Sequence, residues 1–189
     1  TPCNPTGSVY SKDELKDLAN VLQKYPSLIA LSDEIYEHIN FEGKHESLAQ
    51  FPEIYDQVVT VNGVSKAWAM TGWRLGYIAA HKDIAAACDK VQGQFTSATC
   101  SITQKATIAA MHADPKILDE MIGAFKSRRK LVLDALAEIP GLISNKPGGA
   151  FYVFPNVSSF FGKSYNGRII SNSDELCMYL LEEGLVALV

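Results

Sequence analysis

Three short runs of nearly continuous apolar residues constrain this chain most: Leu28-Ile29-Ala30-Leu31, Val58-Val59-Thr60-Val61, and Leu75 to Ala80. Such runs, without polar alternation, predict strands covered on both faces rather than half-exposed ones. Ahead of the first, Ser11-Lys12-Asp13-Glu14 has the pattern of a capping box, and Leu15, Leu18, Ala19 and Leu22 follow at helical spacing. An amphipathic helix over 11–24 is therefore expected, ended by Pro26. Helical patterns recur over 83–95, 102–112 and 115–138, and Pro140-Gly141 stops the last. Strands alternating with helices predict an open, mostly parallel α/β sheet with helices on both sides, a three-layer α/β/α arrangement. Beyond Pro140 the pattern changes. Strands near 142–146 and 150–154 flank Pro147-Gly148-Gly149, and a helix runs from a cap at Asn172, Ser173 or Asp174 to about Glu183. A last strand, 185–189, completes an α+β portion.

With 47% hydrophobic residues among 189, the chain can bury a core, which excludes a disordered chain. A net charge of −4 gives no basic footprint, so no nucleic-acid partner is expected. No apolar run approaches the roughly 18 residues of a membrane span. Cys3, Cys88, Cys100 and Cys177 form no CxxC pair and read as free thiols in a reducing cytoplasm. His45-Glu46 opens an HExxH pattern that Ala49 breaks, so no metal is expected there. Gly162-Lys163-Ser164 ends like a phosphate loop, but Val157 stands where its first glycine should be. His38, His45, His81 and His112 share no ligand spacing and read as surface or helix-end residues. The opening TPCNPTG lacks the features of a secretory signal, and the closing LVALV reads as a buried strand without a partner. A piece of a longer polypeptide is the expectation.

In open α/β sheets, ligands sit beyond the C-terminal ends of the strands. Here those ends carry Asp33 and Tyr36 after the first run and Ser65-Lys66 after the second; Asn4 stands near the chain start and Arg74 eight residues past Lys66. Taken singly, each is ordinary: a turn or cap aspartate, a solvated lysine, a packed tyrosine, an Asn-Pro turn. Together they are a coherent set. A partly desolvated lysine amine can form an imine, an arginine fork suits a phosphate, and a carboxylate can hold a pyridine nitrogen protonated. A phenol and an amide can hydrogen-bond a ring oxyanion and keep the imine pKa low, and Ser65 can add a donor to the phosphate. One cofactor asks for all of these, pyridoxal 5′-phosphate.

Asn4-Pro5-Thr6-Gly7, Asp33-Glu34-Ile35-Tyr36, Ser65-Lys66 and Gly72-Trp73-Arg74-Leu75-Gly76 stand in the signature order of the class I/II aminotransferases of PLP fold type I. The chain resembles that family over essentially its whole length, Pro147 to Tyr152 included. The stretch Val61 to Arg74 is similar to the bacterial aspartate aminotransferase branch, which also holds aspartate/prephenate aminotransferases. The resemblance implies that Lys66 is catalytic, carrying the cofactor as an imine and shuttling a proton, with Asp33 on the pyridine nitrogen and Tyr36 and Asn4 on the ring oxygen. It implies Arg74 and Ser65 on the phosphate. It further implies a homodimer, acting on amino acids and 2-oxo acids, with Thr96 to Thr103 as a segment that could reach a partner copy. Residues 1–115 would be the later part of a large cofactor-binding domain, 116–138 a bridging helix, and 139–189 part of a small domain. The expected activity is amino transfer between L-aspartate and 2-oxoglutarate, with aromatic amino acids or prephenate as alternative substrates. The first phosphate-binding loop and the arginine for the substrate carboxylate would lie outside the chain, so the isolated piece is expected to be inactive. A PLP-binding sensor domain of a transcription regulator is the expectation from another class.

Overall fold

The computed structural model describes residues 2–188. Its first helix, α1 (Lys12–Leu22), starts as the local sequence dictates: the Ser11 amide donates to the Glu14 carboxylate at 2.8 Å, and the Glu14 amide to the Ser11 hydroxyl at 3.3 Å. Leu15 and Ala19 face inward and form a core with Leu48, Phe51, Ile54 and Val58. That core fastens α1 and two 3₁₀ turns, Leu48–Gln50 and Pro52–Gln57, against the start of the second strand.

Strand β1 (Ala30–Asp33) lies parallel to β2 (Val58–Gly63), with Ala30 opposite Val58 and Asp33 opposite Val61. The first strand starts two residues later than its apolar run. The Leu28 amide closes a turn onto Tyr25, and the Leu28 carbonyl is taken by the Gln57 side chain at 3.0 Å, so neither group is left for the sheet. Strand β3 (Gly76–Ala79) pairs antiparallel with β2, Gly63 opposite Gly76. The link between them holds a 3₁₀ turn (Thr71–Trp73) and no crossover helix, so the chain doubles back. Within this chain the sheet is thus mixed. Leu31 is 75% exposed, and all four residues of β3 are exposed.

Helices α2 (Lys82–Phe95), α3 (Ser101–His112) and α4 (Asp119–Ala137) follow. The pattern at 115–138 opens as a 3₁₀ turn, Pro115–Leu118, because Asp114 caps the Lys116 amide at 3.0 Å. Past α4, β4 (Ile143–Ser144) pairs antiparallel with β5 (Pro155–Asn156). The strand expected at 150–154 does not form: the Ala150 amide is spent on the Ile39 carbonyl at 2.8 Å, and Ala150 sits at φ +58°. Instead β6 (Ser164–Tyr165) and β7 (Arg168–Ile169) make a hairpin around Asn166-Gly167, both at positive φ as a two-residue type I′ turn requires. Helix α5 (Ser173–Glu182) is capped by Asn172, whose side chain accepts the Glu175 amide at 2.9 Å. Leu185 to Leu188 form no strand. Leu185 is at φ +55° and 86% exposed, with no ladder to join, and Val189 lies outside the described residues. No helix among the described residues is long and apolar enough to cross a membrane.

Candidate active site

The turn Asn4-Pro5-Thr6-Gly7 is closed by the Gly7 amide on the Cys3 carbonyl at 2.8 Å. Gly7, at φ +67°, then passes so close to Pro147 that only a glycine fits. Its carbonyl accepts the amides of Gly148 (2.8 Å) and Gly149 (3.0 Å), while the Asn145 side chain donates to the Thr6 carbonyl at 2.8 Å. From the other side, the Phe41 amide donates to the Gly148 carbonyl at 2.7 Å. Arg129 of α4 donates to the Pro147 carbonyl at 2.6 Å and lies over the Phe41 ring. Pinned this way, residues 147–150 deliver Phe151 and Tyr152 onto Tyr36.

Tyr36 is 4% exposed. Its ring meets those of Phe151 and Tyr152 edge-on, with centroids 5.3 and 5.7 Å away. Its hydroxyl lies 2.6 Å from the Tyr152 hydroxyl. Burial, the Tyr152 hydroxyl and the Asp33 charge push the Tyr36 phenol well above its usual range, and the Asn4 side chain pulls the other way. The half-buried Lys66 follows β2, its Nζ 5.8 Å from the Tyr36 ring centroid and 5.6 Å from that of Phe151. Asp33 ends β1 with its carboxylate exposed, accepting the Ile35 amide at 3.2 Å. Asn4, Asp33 and Tyr36 line a cleft of about 480 Å³ that runs toward α1; Lys66 is not on its wall. Of the six residues singled out from sequence, Asn4, Asp33 and Lys66 are thus gathered around the phenol of a fourth, Tyr36. Ser65 accompanies Lys66 in the turn after β2. Arg74 is exposed, at φ +54°, and donates to the Thr71 carbonyl at 3.0 Å. Lys66 is thus partly buried, whereas the Asp33 carboxylate is exposed.

Behind Asp33, alternation along the chain turns Glu34 to the opposite side. Its carboxylate accepts the hydroxyls of Ser32 (2.9 Å) and Ser47 (2.8 Å) and pairs with His45 at 2.8 Å. His45 is therefore not the surface residue its sequence position suggested; its side chain is 15% exposed against 4% for Glu34. Burial pushes the Glu34 carboxyl up, but the bonds from His45, Ser47 and Ser32 outweigh it and hold the group below its usual value. Glu37 is also held low, by His38 first and then by Asn62, whose amide donates at 2.9 Å. Potential ligand atoms of Glu34, Glu37 and His45 lie within 4.8 Å of one another, yet the Glu34 oxygens are already engaged. The cluster braces the segment that carries Asp33 and Tyr36. Sequence reasoning missed both this brace and the Tyr152 hydroxyl, since each depends on contacts between separate segments.

A sequence model of the family described as aminotransferase class I and II matches residues 1–189, the whole chain. The chain belongs to that family.

Members of the class I and II aminotransferases depend on pyridoxal 5′-phosphate. The chain is 46% identical to a Petunia hybrida protein named bifunctional aspartate aminotransferase and glutamate/aspartate-prephenate aminotransferase. All of this chain aligns, against 40% of that protein. It is 44% identical to a probable aspartate/prephenate aminotransferase of Rickettsia bellii, covering 48% of it. The crystal structure of an aspartate aminotransferase from Rhizobium meliloti superposes on the whole chain with a TM-score of 0.94 at 40% identity, 48% of that chain being covered. An aromatic aminotransferase from Pyrococcus horikoshii gives 0.89 at 36% identity. The fold is thus that of the fold type I aminotransferases, and the chain spans 40–48% of the length of these curated relatives.

Proposed function

We propose that the whole protein is a pyridoxal-phosphate-dependent transaminase that moves the amino group between L-aspartate and 2-oxoglutarate, in a cycle where donor and acceptor react in turn. The observation that carries this reading is Lys66, half-buried against the faces of Tyr36 and Phe151, with Asn4 and Asp33 acting on the same phenol. The donor set matches the cofactor's chemistry: an amine for its carbonyl, a carboxylate for its ring nitrogen, a phenol and an amide for its ring oxygen, a guanidinium and a hydroxyl for its phosphate. Bound there, the cofactor supplies an electron sink for the bond being broken at the amino acid's α-carbon.

The chain's own residues have the following roles in this reading. Lys66 would hold the cofactor covalently at rest and, once displaced by the substrate amine, would carry the proton from the substrate α-carbon to the cofactor's C4′. The rings of Tyr36 and Phe151 fix the place of its amine. Asp33 keeps the pyridine nitrogen protonated, Tyr36 and Asn4 bind the ring oxygen, and Arg74 and Ser65 orient the phosphate. Residues 1–115 belong to the large domain, 116–138 bridge, and 139–189 belong to the small domain of a cytoplasmic homodimer. The exposed residues of β3, and others such as Phe95 (84%), support the presence of further chain against this piece.

Prephenate as an amino acceptor is a second reading, favoured by the names of the Petunia and Rickettsia relatives. The experiment is borohydride reduction of the cofactor-loaded protein with peptide mapping, followed by single-turnover discharge by aspartate, glutamate, tyrosine and phenylalanine. One adduct on Lys66 and fastest discharge by aspartate is the expected result. Adducts scattered over surface lysines would refute the site, and fastest discharge by an aromatic amino acid would refute the substrate assignment. Amination of prephenate by the loaded protein, tested beside 2-oxoglutarate, decides the second reading.

A further inference from the structure

The phenol of Tyr36 has a partner that comes from 116 residues away. A hydroxyl carries one hydrogen and two lone pairs, so two facing hydroxyls can share one bond in either direction. The Tyr36 ring is boxed edge-on by Phe151 and Tyr152 and cannot swing; the freedom left to it is the direction of its hydroxyl hydrogen. The Tyr152 hydroxyl is placed by backbone that is held on several sides: by the Gly7 carbonyl, by Ile39 and Phe41, and by Arg129. The titratable and charged groups around the Tyr36 phenol are Asp33, Lys66 and Tyr152, with the Asn4 amide beside them.

We propose that Tyr152 is a positioning residue of this site, whose hydroxyl aims the Tyr36 phenol and strengthens it as a donor to the cofactor's ring oxyanion. The inference rests on the cofactor site proposed above and assigns Tyr152 a part in it. Without the cofactor, the two hydroxyls share one hydrogen bond and the buried Tyr36 oxygen is satisfied. With an oxyanion in reach, the Tyr36 hydrogen turns to it and Tyr152 donates to the Tyr36 oxygen. A phenol that accepts one hydrogen bond is a stronger donor of the next. A stronger donor draws charge from the oxyanion and makes the adjoining nitrogen contributed by Lys66 less basic.

The test is the pH titration of the bound cofactor's visible absorbance in the whole protein, for wild type, Tyr36→Phe, Tyr152→Phe and the double variant. Tyr152→Phe keeps the ring contacts and removes one oxygen, and a thermal melt checks that it folds. The expected result is a midpoint raised in both single variants, by about three-fold or more in the ionisation constant for Tyr152→Phe and by more for Tyr36→Phe. The double variant should match Tyr36→Phe, because Tyr152 acts only through that hydroxyl. A midpoint unchanged in Tyr152→Phe while Tyr36→Phe moves it overturns the inference and leaves the cofactor site standing, whatever the melt shows. So does a Tyr152→Phe shift of the same size in the Tyr36→Phe background. If Tyr36→Phe itself moves nothing, the placing of Tyr36 on the cofactor fails, and this inference with it.

Discussion

A β-carbon placed on Gly7 would stand 2.2 Å from the β-carbon of Pro147. Gly7→Ala therefore meets two obstacles, a backbone at φ +67° and a neighbour with no room to give. The expected loss is about 2–4 kcal/mol of stability, read from the urea midpoint. Phe151 and Tyr152 would be displaced along with Pro147, so cofactor retention should fall as well. Gly43→Ala also sits at positive φ, at +120°, but no atom lies within 4 Å of its would-be β-carbon. It should cost only the backbone part.

The Glu34–His45 pair should set the acid limb of stability. The folded carboxyl of Glu34 is held below its ordinary value of 4.5, so its contribution is complete above that pH and disappears as pH falls through the lower, folded value. Melting temperatures of wild type and Glu34→Gln between pH 7 and pH 3 check this. Glu34→Gln should be less stable at pH 7, by about 3 kcal/mol for a pair this buried, and should lose less on acidification. A parallel fall of the two curves below pH 4.5 would remove Glu34 as the titrating group.

Lys66→Ala in the whole protein should abolish transamination and leave no residue that borohydride can fix to the cofactor. Arg74→Ala should act differently, weakening cofactor retention by about ten-fold with turnover of the loaded protein largely kept. Dialysis followed by absorbance measurement separates the two.

Cys100 precedes α3, and amides of Thr103 and Ile102 hold its exposed thiol below the usual range. In this chain alone it should be alkylated ahead of Cys3, Cys88 and Cys177 in a timed isotope-coded experiment near pH 7. In the whole protein, slow alkylation of Cys100 is the expected result if Thr96 to Thr103 lies against a partner copy. Equal rates in the two would place that segment in solvent.

What could be read from sequence was mostly what is decided nearby. Ser11 and Glu14 are three residues apart and make the predicted capping box, and the helices over 83–95 and 102–112 keep their bounds within a residue or so. Asp33 and Ser65-Lys66 could be singled out because each follows an apolar run read as a strand, and they stand at the end of β1 and just past the end of β2. Ala150 was misread as strand because its amide goes to Ile39, a partner that no local pattern reveals. The same is true of Gln57, which shortens β1, and of His45, which a fold-level contact carries onto Glu34. The Asn166-Gly167 hairpin is a different kind of miss. Its cue, an Asn-Gly pair, is local and strong, and was overlooked between two stretches with few apolar residues.

The hydroxyl bond between residues 116 positions apart also puts a clock on the birth of the protein. At about 5–20 residues per second, the ribosome adds Tyr152 roughly 6 to 23 s after Tyr36. Lys66 is added 30 residues after Tyr36, and for the next 85 residues, about 4–17 s, neither Phe151 nor the oxygen facing Tyr36 exists. A nascent chain can therefore form α1 and pair its first two strands early, but its amine stays open to water until the ribosome has passed the Gly148-Gly149 turn.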